Sequence, residues 1–462
     1  MQEAAVKKLP FFICLPACSR VSFLGIRVVT CAQIFTVTTE ALYQLYLQYP
    51  SVQTDTRKLK QGDIFFALKG PNFNANLFAA DALRAGAAYA VIDENIDSND
   101  NRLIVVDDVL TSLQQLAKHH REQFHIPFIG ITGSNGKTTT KELVHAVLSA
   151  QFITYTTEGN LNNHIGIPLT ILKVKPDAQI AVIEMGANHQ KEIAGYCVYA
   201  QPTQGIITNC GKAHLEGFGG VEGVRKGKGE LYDYIRSSSG SIFAFDDYTY
   251  LHEMSKGIEH IDWYGTENGT ITGHVIQSEP FLQVGFTRGV SFASVQTQLV
   301  GDYNLPNILC AVAVGKYFKV PEDKIQQALQ QYAPSNSRSQ LIQKGSNKII
   351  LDAYNANPSS MKLAIENFAH IHADNKILLL GGMMELGEES LAEHQSIVNL
   401  IDQYSWRAVV LVGGDFKNIP HQYLFFNNST EAGGWLKKQQ IQNSYLLVKG
   451  SRSMQMEKLL DA

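Results

Sequence analysis

The sequence predicts an α/β protein of three domains: a small N-terminal α/β module, a central doubly wound sheet with an antiparallel appendage, and a C-terminal domain of Rossmann-like architecture. Three observations predict it. At 462 residues the chain is too long for one hydrophobic core. Short continuous apolar runs alternate with amphipathic stretches along most of it, the pattern of parallel strands covered on both faces by helices. The stretch from Phe128 to Glu142 reads Phe-Ile-Gly-Ile-Thr-Gly-Ser-Asn-Gly-Lys-Thr-Thr-Thr-Lys-Glu, passing from apolar and β-prone through small and flexible to helical periodicity.

Residues 1–37 differ from the rest. Lys7-Lys8 before an apolar run resembles a short secretory n-region and h-region, with Cys18 where a lipoprotein cysteine would sit. Pro10 and Pro16 interrupt that short run, so a non-native or disordered leader is the expectation, with the fold starting near Val37-Thr38-Thr39. Nothing here is long enough to span a membrane.

Residues 38–125 predict the small module, with helices over 40–48, 78–85 and 111–123 and strands over 63–68, 88–92 and 102–105. Thr56 and Arg57, and Lys69 with Gly70, fall on loops or strand ends, where an Arg and a Lys could meet a diphosphate. Taken alone, they are better read as ordinary surface polar residues.

Residues 126–333 predict the central sheet. Apolar strands at 128–132, 153–157, 179–184, 205–208 and 241–245 are each followed by polar or glycine-rich loops. Between 261 and 300 the pattern changes to alternating strands with a turn at Glu267-Asn268-Gly269, the antiparallel appendage, before a helix over 305–318. From 334 to 462 strands at 348–353, 376–380, 408–412 and 446–448 alternate with helices such as 359–369 and 431–440.

The chemistry gathers on the strand–loop–helix. Gly133, Ser134, Asn135, Gly136, Lys137, Thr138 and Thr139 have the make-up of a phosphate-binding loop: glycines for close backbone approach, N–H groups and a helix N-terminus facing the anion, a lysine charge, and a hydroxyl able to ligate Mg²⁺. Residue 131, where the strict pattern has its first glycine, is isoleucine. Glu184 ends the next apolar strand, which places a carboxylate at the carboxyl edge of the sheet as a metal ligand or a solvated strand end. His214 follows the strand after that and is read as a metal ligand or a structural histidine. Lys228 opens a helix, and its residue type alone states no purpose.

Composition narrows the classes. The net charge is −4 and no long basic run occurs, which points away from nucleic acid toward a small-molecule partner. Six cysteines, at 14, 18, 31, 197, 210 and 310, form no Cys-x-x-Cys pair, so neither a disulfide framework nor a zinc site is indicated and a reducing cytoplasm fits.

Across residues 38–462 the phosphate loop is joined by Gly159-Asn160-Leu161-Asn162-Asn163-His164-Ile165-Gly166-Ile167-Pro168, Glu184-Met185-Gly186, Ala213-His214-Leu215-Glu216-Gly217-Phe218-Gly219 and Asp352-Ala353-Tyr354-Asn355-Ala356-Asn357-Pro358. This ordered set resembles the Mur ligases. Tyr354–Pro358, Met384-Glu385-Leu386-Gly387 and Lys449-Gly450-Ser451-Arg452-Ser453-Met454 favour the branch that joins D-alanyl-D-alanine to UDP-N-acetylmuramoyl-tripeptide over those adding L-Ala, D-Glu or the third residue.

The resemblance implies an ATP-dependent, acyl-phosphate-forming ligase of the last cytoplasmic step of peptidoglycan precursor synthesis, a monomer without stable membrane association. It implies that Thr56, Arg57, Lys69 and Gly70 contact the UDP end of the substrate and that Asn160 and Asn163 lie toward its peptide. Gly133–Thr139 with Asn304, Asn307, Arg338 and Asp352 would bind ATP. Thr138 and Glu184 would hold one Mg²⁺, and His214 with Lys228, carbamylated by CO₂, a second. Lys137, His214, Lys228 and Arg338 would be the catalytic set. A folate-type ligase sharing the ATPase core, and a catalytically idle protein of the same fold, are the competing readings. Two departures stand out: Asn74-Ala75-Asn76 where relatives carry Asp-Gly-His, and Gly382 where relatives often carry Asp.

Overall fold

The computed structural model describes residues 37–461 apart from 95, 97, 99 and 336, so the leader expected over 1–37 falls, but for Val37, outside the described residues. Four parallel strands, in the order 52–53, 64–66, 89–92, 103–105, form the N-terminal sheet. Ile64, Phe65 and Phe66 are all inaccessible because alternate residues serve opposite faces. Ile64 and Phe66 join the core that includes Leu42, Tyr46 and Leu113, whereas Phe65 joins Ala79, Ala82 and Leu83. The helix expected over 111–123 runs from Val109 to Arg121, since Asp108 accepts a hydrogen bond from the Thr111 N–H at 2.6 Å and caps it earlier.

The central sheet has nine strands in the order 294–296, 283–288, 271–277, 260–265, 241–245, 204–207, 128–132, 180–184, 154–156. Phe128–Thr132 pairs in parallel with both Gln204–Ile207 and Ile180–Glu184, so the carboxyl ends of three strands meet at one place. Its five residues are fully buried, as a strand covered on both faces requires.

The strands predicted as an antiparallel appendage extend this same sheet, and the turn at 267–269 departs from the hairpin expected there. His260–Gly265 is parallel to Ser241–Phe245, and Ile271–Gln277 meets it in parallel through Tyr264↔Ile271 and Gly265↔Thr272. The loop folds back instead of reversing: Gly269 has φ +125°, a Cβ there would lie 2.5 Å from the Trp263 carbonyl oxygen, and that oxygen accepts from the Thr270 N–H. The antiparallel pattern starts one strand later, at 271–277 with 283–288 and then 294–296.

The C-terminal sheet has the order 340–344, 347–352, 445–449, 376–381, 408–412, 424–426, parallel apart from its first pair. Two strands, Gln340–Lys344 and Leu424–Phe426, and the helix Ser390–Ile401 join the elements read from sequence. Gln340–Lys344 is a half-buried edge strand with polar residues at 340, 343 and 344, which hides its strand character. No helix among the described residues is long and apolar enough to cross a membrane.

Candidate active site

The loop after Phe128–Thr132 is held from behind by the segment that follows the neighbouring strand. The Ser134 N–H donates to the Asn209 carbonyl at 2.9 Å, the Asn135 N–H donates to Asn209 Oδ1 at 3.0 Å, and Thr208 Oγ1 donates to the Asn135 carbonyl at 2.6 Å. Gly133 fits because a Cβ there, at φ +147°, would lie 2.0 Å from Thr208 Oγ1. Gly136 caps the helix Lys137–Ser149 in the left-handed region at φ 76°. Under that helix, Thr140 Oγ1 donates to Asn307 Oδ1 and Asn307 Nδ2 to Asn304 Oδ1, so both expected asparagines are buried against the base of the loop. Thr139 lies in the first turn of the same helix.

Charge is concentrated here. Lys137 Nζ folds back onto the Gly133 and Ser134 carbonyls at 2.6 and 3.1 Å. Burial pushes its ammonium down to about 8, opposed by Glu184 and reinforced by Arg338. Thr138 Oγ1 stands 3.0 and 2.9 Å from the two oxygens of Glu184, and Asn162 Nδ2 donates to Oε1 at 2.8 Å. Glu184 is 1% exposed and its side-chain partners are neutral donors, with no ion pair among the described residues. A buried carboxylate that no ion pair neutralises is suited to a divalent ion.

Lys228 is 1% exposed on the helix Val221–Ser237, with Nζ donating to the Ala187 carbonyl at 3.0 Å and lying 4.9 Å from the Phe218 ring centroid. Burial, aided by Lys137, pushes its amine down to about 7. His214 is bonded through Nδ1 to Glu385 of the C-terminal part. Among the described residues no group of three or more His, Cys, Asp or Glu forms a metal cluster. Neither Thr138 with Glu184 nor His214 with Lys228 would fill an ion's shell alone, so an ion at either place would need further oxygen ligands from the nucleotide or water.

The C-terminal part closes over the loop. Arg338 lies with its guanidinium carbon 3.5 Å from the Tyr354 ring centroid, between Ser337 and Ser339, which are both in the left-handed region at φ 57° and 48°. Asp352 accepts from the Ser339 N–H at 3.1 Å and is ion-paired with the buried Lys449, so its carboxylate braces this segment. Asn357 Nδ2 donates to Asn135 Oδ1 at 2.8 Å, and Lys212 pairs with Glu393. A cleft of roughly 910 Å³ remains between the parts, with Thr138, Asn160, His214, Arg338, Tyr354 and Glu385 on its walls.

Other expected residues lie apart from this cleft. Asn163 Oδ1 accepts from the Ile165 and Gly166 N–H groups, a local turn, and the neighbouring Asn162 reaches Glu184. Arg57 pairs with Asp55, and Lys69 with Asp93 and Glu94, in the N-terminal module, where Gly70 continues the short Lys69–Gly70 strand. The substituted loop serves that module: Asn74 Nδ2 donates to Glu94 and Asn76 Nδ2 to Asp93, each at 2.8 Å, so the two asparagines hold the acids that hold Lys69. Gly382 answers a packing demand, since a Cβ there would lie 2.6 Å from the Gly414 Cα.

Asn162, Tyr354, Asn357, Glu385 and Lys449 are site residues to which sequence reasoning gave no role. Their only signal was membership in the quoted motifs.

The chain matches the Mur ligase middle domain over residues 131–315 and the Mur ligase, glutamate ligase domain over residues 337–452. It is 33% identical to UDP-N-acetylmuramoyl-tripeptide–D-alanyl-D-alanine ligase of Escherichia coli K12, covering 94% of this chain and 98% of that protein. The Bacillus subtilis protein of the same name is 32% identical, over 88% of this chain and 92% of that protein. Among solved structures, MurF from Acinetobacter baumannii superposes with a TM-score of 0.79 at 30% identity, covering 90% of this chain and 97% of that one. MurF ligase from Thermotoga maritima in complex with ADP gives 0.81 at 25% identity, again covering 90% and 97%.

Proposed function

The chain belongs to the Mur ligase family, and from that premise we propose that it joins D-alanyl-D-alanine to UDP-N-acetylmuramoyl-tripeptide at the expense of ATP. The observation that carries this reading is near-full-length similarity, at 32–33% identity, to ligases named for that reaction. Each large sheet is read as one module: 38–125 for the UDP end of the substrate, 126–333 for ATP, 334–462 for the incoming dipeptide. A cytoplasmic monomer acting in peptidoglycan precursor synthesis completes the reading.

The side chains suit the chemistry. The tripeptide carboxylate attacks the γ-phosphorus, ADP leaves, and an acyl phosphate forms. The dipeptide amine adds to the acyl carbon, and the tetrahedral intermediate expels inorganic phosphate. Lys137 and Arg338 share a field with Glu184 at the loop, so they can neutralise charge on the transferring group. To do so Lys137 exchanges the Gly133 and Ser134 carbonyls for phosphate oxygens. Thr138 with Glu184 would hold one Mg²⁺, and His214 with Lys228 as its carbamate a second. When bound, these ions screen phosphate charge and bring the oxygens into line. Lys228 suits carbamylation because its amine is largely neutral above about pH 7, the form that adds CO₂ and gives up a proton. Docking of the C-terminal part keeps water from the acyl phosphate.

The experiment is a ligation assay with UDP-N-acetylmuramoyl-tripeptide and ATP, offering D-alanyl-D-alanine against single D- and L-amino acids. Product and phosphate release are expected with the dipeptide alone; equal turnover with a single amino acid overturns the reading. Lys137→Ala should lose ATP-dependent phosphate release altogether.

A further inference from the structure

We propose that Glu385 is a positioning residue for His214, its carboxylate accepting a hydrogen bond from the imidazole Nδ1–H so that Nε2 is left as the free lone pair at the cleft. The proposal rests on the reading of His214 as a working residue of the site. Glu385 is the hydrogen-bond partner of Nδ1, and Nε2 makes no hydrogen bond among the described residues. An ionised carboxylate only accepts, so Nδ1 must be the donor. In a neutral imidazole a donating Nδ1 leaves Nε2 as acceptor, the arrangement by which carboxylates orient metal-ligating or phosphate-facing histidines.

The backbone shows that the contact is built. His214 is at φ 53° and Glu385 at φ 63°, two non-glycine residues in the left-handed region facing each other across the parts of the molecule. Such conformations persist only where surroundings over-determine them, and they gather at working sites. The supports are present: Leu215–Phe218 starts directly after His214, and Gly387 lies against Glu216, where an added Cβ would sit 3.2 Å from the Glu216 Cβ. Both His214 and Glu385 line the cleft. An ion pair serving only to dock the parts would place no demand on the tautomer. Because Glu385 belongs to the C-terminal part, His214 acquires its working tautomer when that part is docked, which ties readiness of the histidine to closure.

The test uses the full chain with ¹⁵N-labelled histidine. Long-range ¹H–¹⁵N spectra of the wild type should show His214 with the proton on Nδ1, and Glu385→Ala should lose that signature. Turnover of Glu385→Ala should fall about 10–100-fold with the KM for ATP and for the dipeptide within about twofold. Glu385→Gln, whose carbonyl can accept the same bond, should recover part of kcat and the tautomer. Glu385→Ala with the wild-type tautomer signature, or with wild-type kcat while His214→Ala is inactive, overturns the proposal. Wild-type turnover by His214→Ala is the separate result that removes His214 from the site and, with it, the role of Glu385.

Discussion

Lys228 is a lysine with no ion pair among the described residues and almost no exposed surface, and burial favours its neutral form over the pull of Glu192 and Glu230. The folded-state value near 7 lies below that of an unfolded lysine, so between roughly pH 7 and 10 the unfolded chain binds the extra proton. Stability in CO₂-free buffer should therefore rise with pH across that window, and Lys228→Met should flatten the slope, leaving the part that Lys137, pushed down to about 8, contributes above that pH. Denaturant midpoints at a series of pH values measure it. With ¹³C-bicarbonate, a carbamate resonance should grow in as pH climbs through 7 and be missing from the Met variant; its absence from the wild type would remove Lys228 from the metal set. At this scale sequence reasoning reached what depends on local geometry. Gly133 and Gly136 announce a phosphate loop because only glycine accepts their φ values and neighbours. Glu385 and Lys449 announce nothing, since their roles exist only against His214 and Asp352, residues distant along the chain.

The helix Pro358–His370 shows how one element joins fold and site. Its cap, Asn357, accepts from the Ser360 N–H at 2.9 Å through Oδ1 and donates to the phosphate loop's Asn135 through Nδ2. The two duties can be separated. Asn357→Ala should cost about 0.5–2 kcal/mol of stability through the lost cap. Asn357→Asp keeps a good cap but turns the donor facing Asn135 into an acceptor, so its melting temperature should stay near wild type while affinity for an ATP analogue falls; unchanged affinity would show that the contact is idle. Elements were legible where burial is uniform: Ser241–Phe245 and Ala408–Val412 lie where the apolar runs placed them. They were not legible where pairing is decided elsewhere. The turn at 267–269 has hairpin composition, yet the Trp263 carbonyl captures Thr270 and sends the next strand forward in parallel.

Across the whole molecule the three large sheets act through their contacts. The cleft takes Thr138, Asn160 and His214 from one side and Arg338, Tyr354 and Glu385 from the other, whereas the Lys212–Glu393 pair joins the same parts away from it. Glu393→Ala should reduce docking without removing any wall of the cleft, a change that distance measurements between spin labels on the two parts would register. The apparent affinity of a ligand that needs the assembled cleft is its intrinsic affinity multiplied by the fraction of molecules docked. Inhibitors of unrelated chemistry that span the cleft should then all weaken by one common factor in Glu393→Ala, whereas a change at Tyr354 or Arg338 should rank them differently. A panel of such compounds thus becomes a gauge of how much of the time the enzyme stands assembled.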